Sequence, residues 1–251
     1  CAGISPVAYG LMMQELERAD SGFRSFASVQ SSLAMTAIHE FGTEHQRERY
    51  LPEMAAGGLL GGFALTEADH GSDAAGMETI AEATPEGYRV NGSKYWITNA
   101  TIADIVIVWA KLDGVVRGFI MDTKLPGVST EEIHNKLSMR MSATGGLTFR
   151  DVLIGKDTLL SGTKGIGSAL QCLNSARYSI IWGVNGAAAD CLHATIGYTK
   201  EREQFGKPLA GFQLVQEKLA DMAAELSKAQ LLAYQLGRLK ERGALHWSHI
   251  S

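Results

Sequence analysis

The chain has 251 residues, 45% of them hydrophobic, 20% charged and only five of them proline, enough to bury a sizeable core divided among two or three subdomains. The 23 basic and 27 acidic residues leave a net charge of −4 with no basic run, so nucleic acid is not an expected partner. Cys1, Cys172 and Cys191 are odd in number, widely spaced and without a CxxC pair, which fits buried thiols in a reducing compartment and implies neither a disulfide nor a metal site. The apolar run Ser179-Ile-Ile-Trp-Gly-Val184 is too short to cross a bilayer, and no charged-then-apolar leader opens the chain. The sequence starts at Cys1 and stops at Ser251 in a helix-competent stretch, so it reads as a piece of something longer.

Residues 1–62 carry a helical pattern. Met12, Met13, Leu16 and Ala19 recur at three- and four-residue steps; Val29, Leu33 and Ile38 continue beyond a Ser-Gly interruption; Thr43 is placed to cap a helix with Gln46 three residues on. From 63 to 155 the period changes to two. Asn91-Gly92 and Asp113-Gly114 each stand between β-rich runs and predict hairpins, and Gly146 to Ile154 adds a strand, which together give an antiparallel β domain and not a doubly wound dinucleotide fold. Residues 156–251 turn helical again, through 169–199 and then from Phe212 to Leu239. There Phe212, Val215, Leu219, Met222, Leu226, Ala229, Ala233 and Leu236 form a heptad seam that wants partner helices in a bundle. The expected fold class is α+β, with a helical subdomain, an antiparallel β middle domain and a partial helical bundle in that order.

Two stretches carry chemistry. Phe63-Ala-Leu-Thr-Glu-Ala-Asp-His-Gly-Ser-Asp73 and Lys94-Tyr-Trp-Ile-Thr-Asn99 combine hydroxyls, accessible backbone and a flat ring. Thr66, Ser72 and Thr98 can hydrogen-bond the heteroatom edge of an isoalloxazine, Trp96 can lie against its face, and Gly71 lets backbone amides approach an oxygen-rich ligand. Either stretch alone reads as an ordinary loop. Together with Arg202-Glu-Gln-Phe-Gly-Lys-Pro208 and Gln213 they resemble the acyl-CoA dehydrogenase family along nearly the whole chain.

That resemblance implies FAD as cofactor, with Thr66, Trp96, Ile97 and Thr98 contacting the flavin and the backbone of Phe63 and Leu65 bordering it. Ser72 matches a serine facing the pantetheine arm of coenzyme A. Arg202, Gln204, Phe205 and Gln213 match the segment that meets the pyrophosphate and adenosine of FAD bound mainly by a neighbouring subunit, which implies a homo-oligomer, a dimer of dimers by family habit; a guanidinium suits phosphate and a phenyl ring suits adenine. On charge alone, Arg202 could instead pair with Glu201 or Glu203. His70, where many members carry a small residue, is given no catalytic role. The implied reaction is α,β-dehydrogenation of an acyl thioester, a carboxylate removing the α-proton while the β-hydrogen leaves as hydride to the flavin, with electrons passing to an electron-transfer flavoprotein. The compartment is the bacterial cytoplasm or the mitochondrial matrix. The family's base is a glutamate in a Tyr-Glu-Gly-Thr type motif absent from residues 1–251, so no catalytic base is assigned here and the chain alone is expected to be inactive.

Within the family the likeness is to glutaryl-CoA dehydrogenases, carried by Glu17-Arg-Ala-Asp-Ser-Gly-Phe-Arg-Ser-Phe-Ala-Ser28, Ser142-Ala-Thr-Gly145 and Asn174-Ser-Ala-Arg-Tyr178. A distal carboxylate must be met by a cation and a hydroxyl before it leaves water. Arg24 and Ser28, four apart, match the arginine and serine that hold it, and Glu17 matches an acidic residue of the same network. By spacing alone Arg24 is equally well placed to pair with Asp20. Arg177 matches a position bordering the active site, where a buried arginine could hold the base ionised or simply pack between domains. The product glutaconyl-CoA would then lose carbon dioxide to give crotonyl-CoA. A dehydrogenase of monocarboxylic short- or branched-chain acyl-CoA, a flavin oxidase or monooxygenase on the same scaffold, and a cofactor-free helical interaction module are the competing readings.

Overall fold

The computed structural model describes residues 3–250, so Cys1 lies outside the described residues. Two compact units form: a sheet unit, Ser25–Ala176, and a helical unit built from residues 3–24 and 177–250.

In chain order the helices α1 (Pro6–Ala19) and α2 (Ser21–Ser28) are separated by a single extended residue, Asp20, whose carboxylate accepts from Gly22 N at 2.6 Å. The expected Ser-Gly interruption is therefore a helix start, one residue after the real break. Residues Val29–Met35 form a π-helical turn leading into α3 (Thr36–Phe41). Helix α4 (Glu44–Ala56) opens with the capping box read from the sequence, Thr43 Oγ1 accepting from Gln46 N and Gln46 Oε1 accepting from Thr43 N. Gln46 Nε2 then reaches across to the carbonyls of Asp157 and Leu159, at 2.6 and 3.1 Å.

The sheet has seven strands: β1 (Gly61–Ala64), β2 (Ile80–Ala83), β3 (Gly87–Thr98), β4 (Ile105–Leu112), β5 (Val115–Asp122), β6 (Val128–Glu132) and β7 (Thr144–Gly155). Strand β4 is central: β5 lies antiparallel along one edge, and β1 and then β2 lie parallel along the other. These two parallel pairings correct the purely antiparallel expectation; they join segments with other structure between them, which local pattern cannot register. Asp113 and Gly114 make the β4–β5 turn, both with positive φ (50° and 77°), as a tight hairpin requires. Asn91-Gly92 does not turn. Strand β3 runs straight through it, pairing with the whole of β7, and the extra residue is absorbed as a bulge between Val90 and Gly92. Gly92 is needed there because its φ is 144° and an added Cβ would lie 2.5 Å from Thr79 Oγ1.

Gln30 ties helix to sheet, donating to the carbonyls of Met54 and Leu59 and accepting from Gly61 N at 2.7 Å. One apolar cluster joins Leu33, Ile38, Phe41 and Met54 to Phe63, Ile107 and Trp109, and a second, on the other face, joins Val106, Val108, Phe119, Leu147 and Phe149. Cys172 is buried, and burial pushes its thiol up to about 12. Cys191 is exposed, contrary to the expectation of buried thiols.

Helix α5 (Ile166–Glu201) runs for 36 residues, followed by a two-stranded hairpin, β8 (Glu203–Gln204) and β9 (Lys207–Pro208), and by α6 (Gln213–Glu241). In the helical unit α1 packs on α6, Tyr178 Oη donates to Pro6 O at 2.9 Å, and the Lys240 ammonium sits 4.3 Å above the Tyr178 ring. The seam on α6 is half-buried from Val215 to Leu226 and fully buried at Ala233 and Leu236. Helix α6 stops before Gly243, whose φ is +67°, and only a short 3-10 turn follows, so the described end is not helical as the sequence suggested. No helix among the described residues is long and apolar enough to cross a membrane.

Candidate functional site

The two motifs of the sheet unit are joined by a buried ion pair. Lys94, 1% exposed, points inward from β3, and its Nζ donates to Glu67 Oε1 at 2.8 Å and to Leu65 O at 3.0 Å. The Glu67 carboxylate also accepts from Glu78 N, Thr79 N and Thr79 Oγ1, at 2.6, 3.0 and 2.6 Å. Burial acts to raise the Glu67 pKa, but the Glu78 amide, the Lys94 ammonium and Thr79 together outweigh it and hold the carboxyl at about 2. Burial drives Lys94 down to about 8, with Glu67 opposing the fall. The sequence reading gave these two residues no structural role. The available signal was the strand phase, which puts Lys94 on the same side of β3 as Val90.

This pair fixes what stands next to it. Leu65 O is held by Lys94, and Thr66 O accepts from Tyr95 N at 2.8 Å, so Thr66 sits beside the Tyr95-Trp96 step. At that step β3 bulges against β7, with register shifting between Lys94 and Ile97, and Trp96 takes the left-handed φ of 60° that a bulky residue rarely adopts. The consequence is an indole turned out of the sheet and 56% exposed, while Ile97 returns to the core.

Beside it lies a cleft of about 370 Å³ lined by Trp96, Thr98, Lys136, Met139, Ser142 and Thr144, with Thr98 and Thr144 paired across β3 and β7. The Lys136 ammonium donates to Ser142 O and, at 2.9 Å, to Thr144 Oγ1, and the Ser142 and Thr144 hydroxyls are 3.1 Å apart. An exposed flat ring next to a row of hydroxyls and one cation fits a planar, heteroatom-rich ring bearing an anionic tail. Phe63, Leu65 and Ile97 are core side chains, so only their backbone is available to a ligand. Ser72 is exposed, and at Gly71 a Cβ would meet no protein atom. His70 is half-buried against Gly76, its Nε2 4.0 Å from Glu78.

In the helical unit, Arg202, Gln204 and Phe205 come together on the β8–β9 hairpin, and Gln213 opens α6. Phe205 and Gly206 form the turn with positive φ, leaving Phe205 92% exposed, with its ring centroid 6.3 Å from that of Phe212 in an edge-on arrangement. Arg202 forms no ion pair with Glu201 or Glu203 among the described residues, so neither alternative pairing is realised.

Arg24 is buried with Glu17, Nε to Oε2 at 2.6 Å, both residues 7% exposed. The pairing with Asp20 does not form; the Asp20 carboxylate instead caps α2, accepting from Gly22 N at 2.6 Å. Only Nε is engaged; the two terminal nitrogens of the guanidinium hold no hydrogen bond among the described residues. Ser28 ends α2 and is buried. Arg177 is exposed on α5.

Three models of one family match the chain in sequence: "Acyl-CoA dehydrogenase, N-terminal domain" over residues 1–58, the middle domain over 62–152 and the C-terminal domain over 163–251. The chain is 37% identical over 249 residues to a probable acyl-CoA dehydrogenase of Bacillus subtilis, covering 96% of this chain and 65% of the relative. Among solved structures, a glutaryl-CoA dehydrogenase from Mycobacterium smegmatis, in complex with FADH2, superimposes with a TM-score of 0.98 at 48% identity, covering 100% of this chain and 65% of that one. Butyryl-CoA dehydrogenase from Megasphaera elsdenii follows with a TM-score of 0.93 at 35% identity, covering 99% and 67%. The chain spans 60–65% of the length of the curated relatives it matches.

Two outcomes are expected of the buried pair. Lys94→Met strands the Glu67 carboxylate without its counter-charge and should cost roughly 3–5 kcal/mol in denaturant unfolding, where a loss within about 0.5 kcal/mol would show the pair to be dispensable. Glu67 has a folded pKa of about 2, below its ordinary 4.5, so its contribution is complete above 4.5 and is lost as the pH falls toward 2. Unfolding midpoints measured across that window should fall with pH in the parent chain and fall less steeply in Glu67→Gln.

Proposed function

Because the chain belongs to the acyl-CoA dehydrogenase family, we propose that it supplies the flavin cleft and the acyl-pocket helices of an FAD-dependent enzyme that oxidises an acyl-CoA thioester between its α and β carbons, with glutaryl-CoA as substrate. Bound FAD would supply the hydride acceptor. The residues assigned to hold it are Thr66 and Thr98 through hydroxyls, Trp96 through its exposed face, and Phe63, Leu65 and Ile97 through backbone. Ser72 is assigned to the coenzyme A arm. The proton-abstracting glutamate is assigned to the part of the relatives' length that this chain does not span, where it would complete the decarboxylating oxidation to crotonyl-CoA.

The observation that carries the substrate is the Arg24 guanidinium. Its Nε is neutralised and oriented by Glu17, and its terminal nitrogens are unclaimed. A buried fork of this kind suits a second carboxylate and is wasted on a methyl terminus. The 48% identity to a glutaryl-CoA dehydrogenase supports the same reading. A monocarboxylic short-chain substrate is the second reading, favoured by the likeness to butyryl-CoA dehydrogenase. Arg177, exposed on α5, is given at most a supporting role.

The β8–β9 hairpin is assigned to a neighbouring copy. An almost fully exposed Phe205, and an Arg202 with no ion pair among the described residues, add little to this chain's own packing, whereas a phenyl ring and a guanidinium suit the adenine and pyrophosphate of FAD held by another subunit. That assignment needs at least a dimer; a dimer of dimers, transfer of electrons to an electron-transfer flavoprotein, and a place in the bacterial cytoplasm or mitochondrial matrix are proposed on the resemblance to the family. In the full-length enzyme, Arg24→Ala should lower kcat/KM for glutaryl-CoA by about a hundredfold while changing butyryl-CoA turnover by less than about threefold. Equal turnover of glutaryl-CoA by parent and variant would remove the dicarboxylate assignment.

A further inference from the structure

We infer that Gly183 on α5 is a specificity-determining position for the dicarboxylate pocket, acting by leaving room for the Glu17–Arg24 pair; the inference rests on the glutaryl-CoA reading above. An ideal Cβ at Gly183 would lie 2.0 Å from Glu17 Oε2, 3.0 Å from Glu17 Cδ and 3.1 Å from Arg24 Nε. Glu17 Oε2 and Arg24 Nε are the two atoms that make the 2.6 Å ion pair, so the carboxylate rests directly on the helix backbone where every other residue type has a side chain.

Glycine is not required there by its own conformation. Gly183 lies inside α5 without a positive φ, and alanine is the better helix former at such a position. The only demand for glycine is steric, and it comes from the charged pair. A methyl group would push the Glu17 carboxylate off the helix and away from Arg24 Nε, so that the guanidinium loses the contact that aims it.

Gly186, three residues on, provides the internal control. Its Cβ would lie 1.9 Å from Gln14 O and 3.0 Å from Arg18 N, so it is equally tight against α1 but touches backbone and no charged pair. Gly183→Ala and Gly186→Ala therefore perturb the same helix crossing, and only the first strikes the pair. Gly183 is a positioning residue, acting through Glu17 on Arg24.

The test uses the full-length, flavin-loaded enzyme with glutaryl-CoA and butyryl-CoA. Gly183→Ala should raise KM and lower kcat/KM for glutaryl-CoA by at least about tenfold, and leave the butyryl-CoA value within about threefold. Gly186→Ala should move both substrates together. An equal loss on both substrates in Gly183→Ala, or no loss on either, overturns the inference. Arg24→Ala separates the two levels: if it spares glutaryl-CoA the substrate reading itself fails, whereas if it abolishes the preference and Gly183→Ala does not, only the role of Gly183 fails. Should Gly183→Ala yield no flavin-loaded protein, Gly183→Ala/Glu17→Ala, which removes the carboxylate that the methyl meets, must restore it; failure of that double variant also overturns the inference.

Discussion

A lysine ammonium sealed inside a β-sheet is the constraint from which the candidate cleft follows. Lys94 and Glu67 could not stay charged and buried without each other and without the amides of Glu78 and Thr79, and those partners leave little freedom in the segments that supply them. The first motif is thereby pinned to β3 at Leu65 and Glu67, and the backbone bond from Tyr95 to Thr66 closes the seam between them. A buried ion pair is a poor source of net stability compared with apolar packing, so its value here lies in fixing which residues face the cleft.

What the seam holds in place is an unfavourable conformation. Trp96 sits at φ 60° on a bulge, and a bulky side chain persists there only when its surroundings over-determine it. The bulge rotates one indole into solvent between two core residues, Lys94 and Ile97, so a single irregular step turns a strand that is otherwise internal into a wall with a flat aromatic surface. In the same cleft, Lys136 gathers Ser142 O and the Thr144 hydroxyl into a polar rim. In the helical unit the same economy recurs: Arg24 is aimed by Glu17, and Glu17 is seated on a residue with no side chain.

Much of this was legible in the sequence, and the failures share a cause. The capping box at Thr43 and Gln46, the Asp113-Gly114 hairpin and the period-three-and-four steps of α6 are encoded by neighbouring residues, and they form as read. Asn91-Gly92 has the same local signature as Asp113-Gly114 but stays extended, because a twelve-residue partner strand and the packing of Thr79 on Gly92 outweigh a turn preference. The parallel pairings of β1 and β2 with β4 are likewise non-local. In the candidate site, motif resemblance singled out Thr66, Trp96, Thr98 and the Arg24 segment, yet it could not show that the Asp20 carboxylate caps α2 at Gly22 and leaves Arg24 to Glu17. Nor could it reveal Lys94 as an internal cation, since a lysine in a strand ordinarily marks the wet face, or Arg177 as exposed.

We propose that the seam between the two motifs is a flavin platform. It is tested most directly by a crystal structure of the FAD-loaded protein. The isoalloxazine should lie against the Trp96 indole, with its heteroatom edge within hydrogen-bonding distance of the Thr66 and Thr98 hydroxyls. A flavin bound elsewhere, with Trp96 left facing solvent, would contradict it.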